Sequence, residues 1–221
     1  MRHRSAILMA ILILTCSGLA QANIAATVHN LSLSGPGLIK SDSEDRVCVF
    51  CHTPHNANPA QGLWNHQLST VSYTLYPGPS TNPKSSLETD PIQPGVGSST
   101  KLCLSCHDGT VAIGSYNGIT SPEAALGPIT SSRTLIGTNL SDDHPVSIVL
   151  DARPGTELIN PAINPLAKTK LEGGKVECGS CHDPHNNNLG RFLRTETSYG
   201  ALCIECHDQD GWEDSAHALA Q

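Results

Sequence analysis

Four times the chain repeats cysteine, two other residues, cysteine and histidine: Cys48-Val49-Phe50-Cys51-His52, Cys103-Leu104-Ser105-Cys106-His107, Cys178-Gly179-Ser180-Cys181-His182 and Cys203-Ile204-Glu205-Cys206-His207. Of nine cysteines only Cys16 stands outside these motifs. One helical turn spans such a motif, so each presents two thiols on one side of a turn with an imidazole directly after them. Whatever else the chain does, it must be built around four such turns.

Disulfides, zinc sites and redox dithiols all use closely spaced cysteines, but none requires histidine after every pair. Histidine fills 11 of 221 positions, about one in twenty. Four successes by chance are then on the order of one in 100,000. The motif is the attachment sequence for c-type haem, in which the thiols bond the porphyrin vinyl groups and the imidazole turns onto the iron. The expected cofactor is four haem c, held covalently by Cys48, Cys51, Cys103, Cys106, Cys178, Cys181, Cys203 and Cys206, with proximal iron ligands His52, His107, His182 and His207.

The sixth iron ligand decides whether a haem carries electrons or binds substrate. Met1 and Met9 are the only methionines, both N-terminal, which excludes thioether ligation downstream. Apart from His3, six histidines remain: His29, His55, His66, His144, His185 and His217. His55 and His185 share the setting Cys-x-x-Cys-His-x-Pro-His-Asn. Pro54 and Pro184 disfavour helix at the preceding residue, so the attachment turn ends near His52 and His182, and the later histidine points toward another haem. His144, in Asp142-Asp143-His144-Pro145, has carboxylates nearby to hold its far nitrogen, and His29 precedes the first motif. These four are the expected distal ligands, with His66 and His217 in reserve. Lys101, close to Cys103, reads as a surface charge.

Aromatic residues are only 4% and charged residues 15%, while 19 glycines and 15 prolines break the chain. Such a composition builds a poor apolar core, so the cofactor must replace it. The expected fold is a multihaem cytochrome c with little regular secondary structure, short helices at the attachment motifs and long loops wrapped around a chain of haems. A basic start, an apolar run from Ala6 to Leu14 and Ala20-Gln21-Ala22 read as a signal peptide over residues 1–22. Thr15 before Cys16 argues against lipidation. Cleavage removes Arg2 and Arg4 and takes the formal charge from −7 to −9. An exported acidic protein gives no reason to expect nucleic acid, no later stretch is a transmembrane candidate, and a soluble partner would present a basic docking patch.

Residues 23–221 then form one tetrahaem domain of two dihaem units, about 29–110 and 140–210. The first and third motifs continue into x-Pro-His-Asn, and the second and fourth share Leu-Cys-x-x-Cys-His-Asp. The loop from Tyr76 to Thr100 is rich in Pro, Gly and Ser, residues 111–170 have room for a short hairpin, and Glu213–Leu219 reads as a C-terminal helix.

At these residues the sequence resembles the doubled Cys-x-x-Cys-His multihaem cytochromes of metal-reducing bacteria. His29-Asn30-Leu31-Ser32, Val47 to Ala57, Leu102 to Thr110, Asp142 to Pro145 and Cys178 to Asn187 carry the likeness. It implies low-potential bis-histidine haems, a periplasmic or extracellular location, and electron export to other redox proteins or cytochromes and to extracellular metal oxides. The filament-forming cytochromes of such bacteria are a more distant resemblance, implying a homo-polymer in which a histidine placed like His55 reaches a haem of the next subunit. The readings to separate are an electron carrier, a conductive filament subunit and a multihaem reductase with one open iron. Because the cofactor stands in for the core, the chain prepared without haem is expected to give a random-coil circular dichroism spectrum and no cooperative thermal transition.

Overall fold

The computed structural model describes residues 23–57, 63–76, 99–116, 119–120, 126–150, 157–160, 162, 164, 170–208 and 211. The expected signal peptide, most of the loop between Tyr76 and Thr100, the expected C-terminal helix and His217 lie outside them. Regular structure among these residues is sparse, as the composition leads one to expect. A helix runs over Ser99–His107, a single turn over Cys178–Cys181, and 3-10 turns over Asn23–Ala26 and Ser198–Gly200. Strands β1 (Ser115–Tyr116) and β2 (Ile119–Thr120) form the short hairpin expected between residues 111 and 170. Strand β3 (Ile148–Val149) grows from the apolar run Val146 to Leu150, but pairs antiparallel with β4 (Lys175–Val176), at the doorstep of the third motif.

The attachment turns form as their spacing demands. In the first, third and fourth motifs the histidine N–H donates to the carbonyl of the first cysteine, at 2.8 Å for His52 and 3.0 Å for His182 and His207. Each of these histidines then sits in an antiparallel bridge, His52 with Trp64, His182 with Leu193 and His207 with Leu158. Two backbone bonds make each bridge. Thr53 N donates to Leu63 O and Asn65 N to Cys51 O, Asp183 N to Phe192 O and Arg194 N to Cys181 O, Asp208 N to Glu157 O and Ile159 N to Cys206 O, all between 2.7 and 3.0 Å. The bridge forces extended backbone on the histidine, φ −114° and ψ 142° at His182, and so stops the turn where Pro54 and Pro184 were expected to stop it.

The second motif is built differently. It occupies the last two turns of the Ser99–His107 helix, and the His107 carbonyl accepts from Ile136 N at 2.8 Å and Gly137 N at 3.2 Å. Gly109, at φ +74°, lets the chain leave this helix, and a Cβ there would lie 2.5 Å from Leu135 Cδ1 and 2.9 Å from the Ile129 carbonyl.

Two small apolar clusters hold these turns. Phe50, inside the first motif, packs edge-on against Tyr116 at 5.0 Å with Val49 and Leu31 around it. Leu104, inside the second motif, packs on Leu140, Tyr73, Leu75 and Val146. In these two motifs the residues between the cysteines thus anchor the turn in protein.

The loop bearing His29 rests on one buried amide. Asn30 Oδ1 accepts from Ser32 N at 3.1 Å and Ser32 Oγ at 2.6 Å, while Nδ2 donates to Ala25 O at 2.9 Å and Ser34 Oγ at 3.2 Å. Asn30→Ala removes these four bonds from a buried site and is expected to cost about 1–3 kcal/mol, read as a lower denaturation midpoint of the haem-loaded protein.

Candidate metal centres

The structure brings six of the histidines into three ring pairs. His52 and His185 have centroids 6.0 Å apart with planes at 23°, His29 and His107 6.2 Å apart at 72°, and His144 and His207 6.3 Å apart at 87°. All three pairs join residues distant in sequence: His185 follows the third motif and faces the histidine of the first, His29 lies far upstream of His107, and His144 far upstream of His207. His182 and His55 have no ring partner of this kind among the described residues, and His55 is exposed.

Hydrogen bonds leave a nitrogen free on the paired rings where they are held at all. His107 Nδ1 donates to Thr134 O at 2.8 Å and His144 Nδ1 to Pro145 O at 3.0 Å, and His182 Nδ1, though unpaired, is likewise held by Arg191 O at 2.9 Å. The expected carboxylate support for His144 is therefore corrected to a carbonyl, because the proline turns its own C=O back onto the ring. His29 is held neutral by burial and by the nearby His107, its pKa pulled down to about 4. Burial lowers His52 and His207 too, helped by His185 and His144 respectively. A neutral imidazole offers a lone pair, which is the form a metal binds.

The spacing tests what such pairs can hold. Two metal–nitrogen bonds of about 2 Å, plus about 1 Å from each nitrogen to its ring centre, put two imidazoles on opposite sides of one metal roughly 6 Å apart. Among the described residues no three His, Cys, Asp or Glu side chains converge as a metal site of their own. A two-histidine axis leaves an octahedral ion four equatorial positions, which is what the nitrogens of a porphyrin fill. The eight described cysteines are free of disulfides. Burial pushes the Cys51 thiol up to about 11 and the Cys106 thiol up to about 12, keeping both protonated. The residues present therefore fit haem.

Side chains tie the motifs to one another. Cys178 N donates to Thr100 Oγ1 at 3.0 Å and Gly179 N to Ser99 Oγ at 2.7 Å, so the third turn is docked on the start of the Ser99–His107 helix. The Cys103 and Cys178 side chains are hydrogen-bonded across this junction. The third and fourth motifs are joined by Lys170, which binds both Thr195 and Glu205, and by Thr195 Oγ1 donating to Glu205 Oε1 at 2.7 Å.

Lys101 is not the surface charge its sequence context suggested. It is buried, with Nζ 5.3 Å over the Tyr73 ring, and burial lowers its pKa against the pull of Asp108. Asp108 itself accepts from Tyr73 Oη at 2.6 Å and from Thr110 N and Oγ1 at 2.8 Å each. Burial would raise that carboxyl, but bonds from Ser69, Tyr73 and Thr110 outweigh it and the net shift is downward. The sequence offered no signal for the carbonyls of Thr134 and Arg191, because any residue supplies one.

A family model described as the doubled CXXCH motif matches residues 170–211, the stretch holding the third and fourth motifs. No curated protein matches the chain. No helix of the described residues is long and apolar enough to cross a membrane.

His66 has both nitrogens against backbone oxygens, Gln67 O at 2.9 Å and Ala112 O at 3.2 Å, and is 1% exposed. His66→Ala is expected to destabilise the haem-loaded protein by about 1–3 kcal/mol while its visible haem spectrum stays that of the wild type.

Proposed function

We propose that this chain, which carries the doubled CXXCH motif of multihaem c-type cytochromes and is a haem protein of electron transfer, moves electrons through four covalently attached haem c groups as an exported respiratory carrier. The three histidine pairs at 6.0–6.3 Å carry this reading, since an iron held on both faces exchanges electrons and binds no substrate. In it the thiols of each motif hold the porphyrin, His52, His107 and His207 are proximal ligands, and His185, His29 and His144 are their distal partners. The protein's part is to fix spacing and tune potential. Donors and acceptors would be other redox proteins or cytochromes and, outside the cell, metal oxides.

His182 and His55 complete the reading. Each lacks a partner within the described residues, and His55 sits exposed on the first motif as His185 sits on the third. His55 of one copy is then the distal ligand for His182 of the next, which joins copies head to tail into a polymer. A reductase reading rests on the same observation, because a monomer with His182 unpartnered would keep one open iron.

The visible and electron paramagnetic resonance spectra of haem-loaded protein, recorded with its oligomeric size, separate the two. The carrier reading expects every haem low-spin, and the ligation between copies expects a polymer besides. His55→Ala should give monomers with one high-spin haem per chain, whereas His185→Ala should give one high-spin haem in a chain that still polymerises. Polymer with all haems low-spin in His55→Ala overturns the ligation between copies. A wild-type monomer whose high-spin haem binds carbon monoxide makes the enzyme the better reading.

A further inference from the structure

The first of the three ring pairs stands apart from the other two in its planes: 23° for His52 and His185, against 72° for His29 and His107 and 87° for His144 and His207. Axial imidazoles donate through their π orbitals. Parallel planes act on one of the two iron d orbitals of π symmetry and split them; perpendicular planes act on both and leave them nearly equal. The angle therefore sets the anisotropy of the low-spin ferric signal and contributes to the potential, so whatever holds a ring in rotation tunes its iron.

His29 is held by the far half of the chain. Phe192 stacks on it with centroids 4.2 Å apart and planes 17° from parallel. The Pro184 carbonyl accepts from the His29 ring. A ring bonded to a metal through one nitrogen can turn only about that bond, and turning His29 drives its edge into the Phe192 face. Phe192 is itself fixed: its N–H donates to Asn187 Oδ1 at 2.8 Å and its carbonyl accepts from Asp183 N at 2.7 Å. Its φ of +58° is in the left-handed region, uncommon for a bulky side chain, and Arg191 before it is at +48°. Such a conformation persists only where surroundings enforce it. The bridge backbone alone does not call for an aromatic residue there. At the matching place beside the first motif Leu63 has φ +64° and accepts the same bond from Thr53 N, yet its side chain is 57% exposed.

We infer that Phe192 is a positioning residue which locks the ring plane of His29 nearly perpendicular to that of His107, and so sets the magnetic anisotropy and potential of the iron between them. This rests on the proposed ligation of one iron by His29 and His107. The residue that tunes that iron comes from beside the third motif, so the two halves of the chain share one redox centre.

The test is electron paramagnetic resonance of the oxidised, haem-loaded full chain, with a potentiometric titration alongside. Wild type should show two strongly anisotropic low-spin signals and a rhombic one from the three pairs, beside the signal of the haem on His182. Phe192→Leu should broaden one anisotropic signal and shift it toward the rhombic class, moving one potential while the other signals stay in place as a check on folding. Phe192→Tyr, which keeps the flat ring, should restore both the signal and the potential. If Phe192→Leu does not load haem, Phe192→Met keeps most of the volume without a planar face and carries the same comparison. His29→Ala should convert the same iron to high spin. Should His29→Ala leave every iron low-spin, the ligation itself is wrong. Should it create the high-spin iron while Phe192→Leu leaves both anisotropic signals and all potentials at their wild-type positions, the ligation stands and the role of Phe192 is overturned.

Discussion

The bond from the motif histidine's N–H to the carbonyl of the first cysteine, with the bridge that follows it, is the interaction on which the rest depends. It closes one turn, which sets two thiols side by side, and the bridge then breaks the turn so that the imidazole leaves in extended geometry. Three motifs use this device. In the first and third the bridging strand starts eleven and ten residues after the histidine, Leu63–Asn65 and Phe192–Arg194; in the fourth it comes from upstream, Glu157–Ile159. The same local chemistry is thus met by chain arriving from either direction. The second motif forgoes the bridge and borrows its rigidity from the Ser99–His107 helix, whose buried Leu104 anchors it.

Such turns need little core, and little is present. The two apolar clusters surround Phe50 and Leu104, both between motif cysteines, and the third motif has Ser180 instead, bonded to Glu177 N at 2.9 Å. Glu177 in turn accepts from Ser147 Oγ at 3.0 Å, beside the β3–β4 pairing. Polar bonds here do what apolar burial does elsewhere, and each is worth about 1 kcal/mol, which leaves a domain of this size thinly held by the polypeptide alone.

The sequence made the architecture legible through composition and the attachment turns through spacing, because both follow from short-range rules. Pro54 and Pro184 marked where two of the turns end. The short hairpin was foreseen, but the partner of Val146 to Leu150 was not, since strand pairing over a long separation leaves no local trace. Lys101 was misread for a similar reason: a lysine over Tyr73 and near Asp108 looks like any lysine until the loop carrying Tyr73 is folded across it. The carboxylates before His144 drew attention from the carbonyl after it, which no residue name advertises. Histidine identities could be read from the sequence, whereas which ring faces which is a property of the folded chain.

That last property changes how the internal repeat should be understood. A chain made of two independent dihaem halves would pair its histidines within each half. Here His185 faces His52 and Phe192 covers His29, so residues beside the third motif complete the surroundings of histidines belonging to the first half. The junction of Cys178 and Gly179 with Thr100 and Ser99 joins the halves again. Groups that meet only in the folded chain cannot be satisfied half by half, so docking of the two halves and the formation of the histidine pairs must be one cooperative event. The first motif's own trailing histidine, His55, has no such counterpart among the described residues. On the proposed function, that histidine is what would carry the interleaved pattern on into another copy.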